Sequence, residues 1–125
     1  MDIDALFEKL SWDSSQEIQE EGLCEARKIK SLSIFLQPLE GKGTWGNCAK
    51  VLSEKDDLQL ERYVFSLFEW LQDMNWPGAL TIWERLARMP KDSLQFAYEY
   101  SLETARKTND ECWYANLIDF WKHKN

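Results

Sequence analysis

The sequence contains few residues that could act as catalysts or metal ligands. Its one histidine, His123, is the third residue from the carboxyl end, where we expect it to lack the fixed position and the orienting partner that a general base needs. The three cysteines, Cys24, Cys48 and Cys112, form no CxxC pair and indicate neither a disulfide framework nor a zinc site. Their apolar neighbours favour small buried thiols. We therefore predict that the protein is not an enzyme and that it binds no metal.

A glycine-rich run at residues 41–46 reads GKGTWG and matches the GxGxxG pattern of dinucleotide-binding loops. Such a loop follows a buried strand and belongs to a βαβ unit of about thirty residues. Pro38 interrupts the residues before the run, helical patterns follow it, and Trp45 would crowd the backbone where a pyrophosphate must approach. The run therefore predicts a loop between helices, and we expect no cofactor.

Carboxylates are concentrated in the first 40 residues, which contain nine acidic and four basic side chains, whereas the remaining 85 residues contain 13 and 11. Helical spacing places four glutamates near one another: Glu17, Glu20, Glu21 and Glu25. A solvated helix face explains this cluster better than a carboxylate metal site. The acidic surface either confers solubility or attracts a basic protein partner, and in the second case Glu17, Glu20 and Glu21 bind the partner. The net charge of −7 argues against nucleic-acid binding.

Seven tryptophans give the sequence an unusual supply of large side chains. Trp83, Trp113 and Trp121 lie on apolar helical stripes and are assigned to the core. Trp45 and Trp76 lie near helix starts and have either a structural role or a role as binding hot spots along one edge of the protein.

The break between two predicted helices, residues 73–78, adds further candidates for partner binding. Asp73 and Asn75 either cap the helix that begins at Pro77 or contact a partner. Trp70, just before them, is assigned to the same partner-binding surface.

Helical periodicity runs through nearly the whole chain, and no segment alternates as a strand does. Helices are predicted for residues 2–10, 14–29, 47–53, about 57–71 and 77–90, followed by a helix capped by Asp92 or Ser93 and one capped by Asn109 or Asp110. The 57–71 helix is capped by Asp56 or Asp57. Asp13, Ser14 and Ser15 offer caps for the 14–29 helix, Ser14 and Glu17 have capping-box spacing, and Gly22 is a weak point inside it. Segment 31–40 is either a short helix or an extended piece that ends at Pro38.

A weak repeat suggests how these helices are arranged. Trp45, Trp76 and Trp113 lie 31 and 37 residues apart, and Asp57 and Asp92 open helices 35 residues apart. Periods of this length are typical of stacked helix pairs. We therefore predict one all-α domain over residues 1–125, a right-handed α–α superhelix of antiparallel helix pairs of the HEAT or armadillo kind. Residues 1–40 form its acidic amino-terminal helices, and residues 44–121 form its HEAT-like core.

The run Phe68–Ala79, with its W-L-Q-D-x-N-W-P pattern, resembles a family of small uncharacterised bacterial proteins. The earlier residues 45–49 and the later residues 110–114 are also similar to that family, and the resemblance covers roughly residues 44–121. It implies a helical, HEAT-like fold and brings no catalytic residue. Proteins of this kind are similar to the immunity proteins of bacterial toxin systems.

These observations lead to a functional hypothesis with two alternatives. We expect a non-enzymatic protein-binding module, an immunity protein that neutralises a basic toxin by occlusion. The alternatives are an enzyme or small-ligand receptor with a pocket near residues 70–77, and a scaffold that forms a homodimer; the sequence does not specify the oligomeric state. The acidic start at residues 1–4 and the lack of a long apolar run predict a cytoplasmic protein without membrane contact.

Overall fold

The computed structural model describes residues 2–39 and 41–124, and within these residues the chain forms helices and no strand. The α-helices are α1 (Ile3–Leu10), α2 (Gln16–Ala26), α3 (Trp45–Ser53), α4 (Asp57–Leu60), α5 (Val64–Glu69), α6 (Ala79–Ala87), α7 (Lys91–Lys107) and α8 (Glu111–His123). The prediction of an all-α protein is thereby confirmed. Glu40, at the end of the predicted segment 31–40, lies outside the described residues.

Helices α1 and α2 form a closely packed pair. The Asp2 side chain caps α1, and Ser15 caps α2 by accepting a hydrogen bond from the Ile18 N–H. The predicted capping box at Ser14 is wrong, because the Ser14 hydroxyl instead donates to the Glu8 carbonyl, 2.8 Å away. Gly22 was predicted as a weak point of α2, yet it is where α2 approaches α1: a Cβ atom there would lie 2.8 Å from the Cβ of Lys9.

The segment that the sequence left ambiguous forms a 3₁₀ turn at Leu32–Phe35, with both of these end residues buried. A second 3₁₀ turn, Lys42–Thr44, leads directly into α3. The glycine-rich run is thus a tight connection between helical elements, as predicted, and α3 begins at Trp45, two residues earlier than expected.

The long helix predicted up to residue 71 is broken into four pieces. Helix α4 is followed by a 3₁₀ turn at Glu61–Tyr63, and α5 is followed by another at Trp70–Gln72. The expected cap at Asp56 is present as a capping box with Gln59. The apolar residues of this stretch that recur at helical spacing are all buried: Leu60, Val64, Leu67, Phe68 and Leu71. Their spacing does not distinguish α-helical turns from the tighter 3₁₀ turns between them.

Two helix starts also differ from the prediction. Helix α6 begins at Ala79 rather than Pro77, because Gly78 has the left-handed φ of +85° and ends the turn before it. Helix α7 begins at Lys91 after Pro90, so neither Asp92 nor Ser93 caps it. Asp110 caps α8, as expected, by accepting a hydrogen bond from the Trp113 N–H.

One apolar core joins the whole chain. Buried side chains of the first helices, such as Leu6, Phe7 and Leu10, belong to the same cluster as those of α3 to α8. Helix α1 packs on α2 and α7 on α8, but α3 packs on α6 and α5 on α7. Several close contacts are therefore made between helices that are not successive in the chain.

Polar contacts attach the acidic first segment to the rest. The Asn47 side-chain amide donates to the Leu10 carbonyl at 2.8 Å and to the Gln19 side-chain oxygen at 3.0 Å. Arg27 makes a two-pronged ion pair with Glu54, and the hydrogen bond from Arg27 lowers the pKa of the Glu54 carboxyl.

The environments of the cysteines and of His123 correct two expectations. Cys48 is buried, but Cys24 and Cys112 are exposed because they lie off the buried faces of α2 and α8. The Nδ1 atom of His123 lies 3.1 Å from a carboxylate oxygen of Asp119, so this histidine does have a partner. No helix in the described part of the chain is both long and apolar enough to cross a membrane.

Candidate functional site

Three of the tryptophans that the sequence analysis singled out meet at one place, which we call the tryptophan corner: Trp45, Trp70 and Trp76. The Trp45 ring packs edge-to-face against Trp76, with centroids 5.4 Å apart, and against Trp70, with centroids 6.0 Å apart. The Lys42 ammonium lies over both outer rings, 5.9 Å from the Trp45 centroid and 5.6 Å from that of Trp76.

Hydrogen bonds fix the orientation of two rings in the tryptophan corner. The Trp45 indole N–H donates to the Pro38 carbonyl at 2.9 Å, which ties the corner to the amino-terminal segment. The Trp70 indole N–H donates to the Pro77 carbonyl, also at 2.9 Å. In both cases the carbonyl of a proline in a neighbouring loop accepts the hydrogen bond and holds the tryptophan ring in place.

Gly78 makes the close packing beneath the corner feasible. A Cβ atom at this position would lie 2.6 Å from the Cβ of Ala49 and 2.9 Å from the Trp45 carbonyl oxygen. The positive φ of Gly78 is also one that other residues rarely adopt. Gly78 can therefore lie this close to Ala49, to the Trp45 carbonyl and to the Trp70 ring only because it has no side chain.

Asp73 and Asn75 shape the turn that precedes the corner. The Asp73 carboxylate accepts a hydrogen bond from the Asn75 N–H at 2.8 Å, and the Asp73 carbonyl accepts one from the Trp76 N–H at 3.0 Å. The expectation that they cap a helix starting at Pro77 is wrong, since that helix begins after Gly78. Asn75 is exposed, and Asp73 is half-buried.

Trp70 does not belong to the surface. Its side chain is 0% exposed, so its assignment to a partner-contacting surface is wrong, and its ring instead packs against Trp45 from the core. Trp45 and Trp76 are half-buried and keep part of their surface accessible. The accessible part of the corner thus consists of Trp45, Trp76 and Lys42.

Next to the corner lies a cavity of about 440 Å³ that we call the acidic groove. Its lining combines three carboxylates, an indole and the glycine-rich turn: Asp4, Phe7, Glu8, Ser11, Trp12, Asp13, Gly41, Gly43 and Thr44. Trp12 is 60% exposed, and its backbone N–H donates to the Gly43 carbonyl at 2.9 Å. An indole flanked by carboxylates is suited to hold the cationic end of a basic side chain.

Sequence reasoning did not identify this groove. Asp4 and Glu8 are spaced as i and i+4 on α1, and both are exposed, so one signal was available in the sequence. The other wall comes from residues 41–44, some thirty positions later, and nothing local predicts that this turn meets α1.

The predicted glutamates of α2 have a different environment. Glu21 pairs with the Lys9 ammonium at 2.8 Å, and Glu25 pairs with the same group at 3.0 Å. These hydrogen bonds raise the pKa of Lys9. Glu20 accepts a hydrogen bond from Gln16, and Glu17 is exposed. Part of the predicted acidic face is therefore neutralised within the protein. Over residues 2–39 and 41–124, no group of three potential ligands is arranged to hold a metal ion.

The glycine-rich turn joins the two features into one face. Gly41, Gly43 and Thr44 line the acidic groove, while Lys42, between them, reaches over the tryptophan corner. The candidate site is therefore a continuous surface, with the carboxylates around Trp12 at one end and the Trp45 and Trp76 rings at the other.

Fold and surface together define a small helical protein in which an acidic segment is packed onto a tryptophan-rich helical body. The chain belongs to the DUF5071 family, whose model, described as a domain of unknown function, matches residues 46–125. The match contains Trp76 and Gly78 but not the acidic groove. No curated protein and no solved structure shows significant similarity to the chain.

Proposed function

We propose that the protein is a non-enzymatic binding module that recognises a basic protein through the acidic groove. The observation that carries this proposal is the lining of the groove, where Asp4, Glu8 and Asp13 surround the exposed ring of Trp12. Exposed carboxylates of one sign speed the encounter with an oppositely charged surface and disfavour like-charged partners. A large ring at the centre supplies contact area once water is excluded.

The location of the groove supports the same proposal. Its three carboxylates belong to the first 40 residues, where nine acidic side chains outnumber four basic ones. Lys9, on the same helix as Asp4 and Glu8, is engaged by two glutamates of α2. A basic partner would therefore supply the positive charge that the groove lacks.

The finer proposal is that the protein acts as an immunity protein of a bacterial cytoplasm, neutralising a basic toxin by occlusion. We also propose that its helices form a right-handed superhelix of HEAT-like pairs. The groove and the exposed glutamates Glu17 and Glu20 would lie on the side that faces the partner. The support for this proposal is the acidic surface, together with the resemblance of residues 68–79 to a family of small uncharacterised bacterial proteins that are themselves similar to immunity proteins. Neither a nucleic acid nor a membrane is proposed as partner, given the net charge of −7.

Co-expression with the product of the neighbouring gene tests the proposal. We expect a stable complex and rescue of growth if that product is toxic. The triple variant Asp4→Asn, Glu8→Gln, Asp13→Asn should weaken the complex by about tenfold or more, since charged contacts at interfaces are worth a few kcal/mol in favourable cases.

A matched control carries the same loss of charge elsewhere. The triple variant Glu61→Gln, Glu84→Gln, Glu99→Gln changes three exposed glutamates outside the groove and should bind as the unmodified protein does. No complex with the neighbouring product, or equal weakening by both triple variants, would contradict the proposal.

A homodimeric scaffold is the second candidate, and one observation favours it. Phe96 and Tyr100 lie one turn apart on α7 and are 87% and 55% exposed. If two copies of the protein associated through this apolar face, Phe96 and Tyr100 would be buried between them. Sizing in solution distinguishes the two functions, because a dimer that Phe96→Ser converts to a monomer would support the scaffold.

A further inference from the structure

The accessible part of the tryptophan corner has the geometry of a receptor for an organic cation. The Trp45 and Trp76 rings stand nearly perpendicular, at 87°, and one ammonium lies within 6 Å of both centroids. The negative faces of aromatic rings attract cations at this distance. The position of the Lys42 ammonium thus indicates that the corner accepts a cationic group.

The corner is also formed without any ligand. Trp45 is held by its hydrogen bond to Pro38, and Trp70 backs the corner from the core. Gly78 packs against Ala49 and the Trp45 backbone beneath the rings. A preformed site loses little conformational freedom on binding, which favours recognition of a ligand.

The resident ammonium is held weakly. Lys42 is exposed, and a cation over an exposed aromatic ring contributes only about 0.5–1 kcal/mol, which corresponds to about two- to fivefold in affinity. An ammonium is strongly hydrated, whereas a guanidinium is more weakly hydrated and stacks on aromatic faces. A guanidinium is therefore well suited to replace the Lys42 ammonium over the two rings.

We propose that the surface over the Trp45 and Trp76 rings, where the Lys42 ammonium lies, is a binding site for an arginine side chain of a partner protein, and that Lys42 occupies this site until the partner displaces it. The inference rests on the proposed function, since it takes the ligand to be a basic protein. It adds a second anchor point beside the acidic groove, on the other side of the Lys42–Thr44 turn.

The test titrates the 125-residue chain with N-acetyl-arginine amide and observes the indole N–H signals of its seven tryptophans by NMR. N-acetyl-citrulline amide, which has a neutral urea group of similar shape, serves as the matched probe. We expect the arginine compound to shift the Trp45 and Trp76 signals and the citrulline compound to leave them in place.

Two lysine variants make the test specific. Lys42→Ala empties the site and should strengthen binding of the arginine compound by about two- to fivefold. Lys50→Ala removes the same charge from an exposed position on α3 and should leave the affinity unchanged. Trp76→Leu should abolish the shift at Trp45. Equal affinity of the two lysine variants, or equal shifts with citrulline, would overturn the inference.

The readouts also separate this inference from the proposed function. A shift of Trp12 alone would mean that the arginine compound binds in the acidic groove and would refute the corner site. Shifts of Trp45 and Trp76 with no complex in the co-expression experiment would support the corner site while contradicting the proposed function.

Discussion

Gly78 illustrates how a single position can determine the packing of a larger cluster. The left-handed turn at this residue ends the preceding loop, starts α6 and lets Ala49 and Trp45 approach from α3. Trp70 then bonds to the carbonyl of Pro77, directly before the glycine. The tryptophan corner therefore depends on the absence of a side chain at this site.

Gly78→Ala should lower the free energy of unfolding by about 2–4 kcal/mol, because the added methyl overlaps Ala49 and the positive φ is strained. Urea denaturation measures the change. Gly46→Ala is the matched control: Gly46 lies in α3 with open space around it, so alanine should be neutral or stabilising there by less than about 1 kcal/mol. Equal stability of the two variants would contradict the role assigned to Gly78.

A substitution at Glu69, in contrast to Gly78→Ala, is predicted to raise the free energy of unfolding. Burial raises the pKa of its carboxyl, so the charged form is less favourable in the folded chain than in the unfolded chain. Glu69→Gln should therefore increase stability at pH 7. The wild type should recover this difference as the pH falls from the raised pKa to below the ordinary pKa of a glutamate, where the carboxyl is neutral in both the folded and the unfolded chain.

Unfolding curves at pH 7 and at pH 3 test the prediction for Glu69. Glu99→Gln, at an exposed position of α7, should show no comparable gain at either pH. A loss of stability on Glu69→Gln at pH 7 would mean that the charge of Glu69 stabilises the fold.

At the scale of the helices, Asn47 holds three elements together. Its side-chain amide on α3 bonds the end of α1 through the Leu10 carbonyl and α2 through Gln19. Asn47 belongs to the segment that matches the family, whereas both acceptors belong to the segment before it. One side chain thus attaches the acidic helices to the helical body.

Asn47→Ala should cost about 1–3 kcal/mol of stability, since it leaves two partly buried acceptors without this donor. Hydrogen exchange should show α1 and α2 opening more readily, while α7 and α8 change little. Asn75→Ala, at an exposed turn position, is the control and should have a small effect. Uniform faster exchange across all helices would contradict a local attachment.

Individual residues show which elements the sequence can predict. The caps at Asp56 and Asp110 are local patterns, and the structure confirms both. The break of the long helix at Glu61–Tyr63 has no such signature, because the apolar residues on either side, Leu60 and Val64, fit a buried helix face whether the turn between them is α-helical or 3₁₀. Likewise, Pro77 correctly marks a turn, but the left-handed Gly78 that delays α6 depends on packing against Ala49.

The candidate site was predictable only in part for a related reason. The sequence identified Trp45 and Trp76 from their positions at helix starts, and the structure brings them into contact. It assigned Trp70 to the surface, although this ring is buried, and it overlooked Trp12. The groove around Trp12 arises where α1 meets residues 41–44, and such a meeting depends on tertiary contacts that no local pattern encodes.

At the scale of the whole molecule, the segment that matches the family does not contain the whole core. Leu6, Leu10 and Phe35 precede that segment and are buried in the same cluster as its own apolar residues. Removing residues 1–45 would expose the surfaces that they cover.

A chain limited to residues 46–125 should therefore lack the cooperative thermal transition of the full chain and should bind a hydrophobic dye. Near-ultraviolet circular dichroism reports whether the aromatic rings still pack in fixed positions. A sharp transition with an unchanged aromatic spectrum would show that the family segment folds alone and that the first helices are an accessory.

The exposure of Trp12 has a practical consequence for optical spectroscopy. Among the tryptophans that the structure describes, Trp12 is the one with a largely exposed side chain, so it should contribute the red-shifted part of the fluorescence emission. The carboxylates beside it attract cations and repel anions. Caesium ions should therefore quench this emission more strongly than iodide does at equal ionic strength, and Asp4→Asn with Glu8→Gln should reduce the difference. A ligand seated in the groove would shield the ring from both quenchers, so the protein carries its own fluorescent indicator of occupancy.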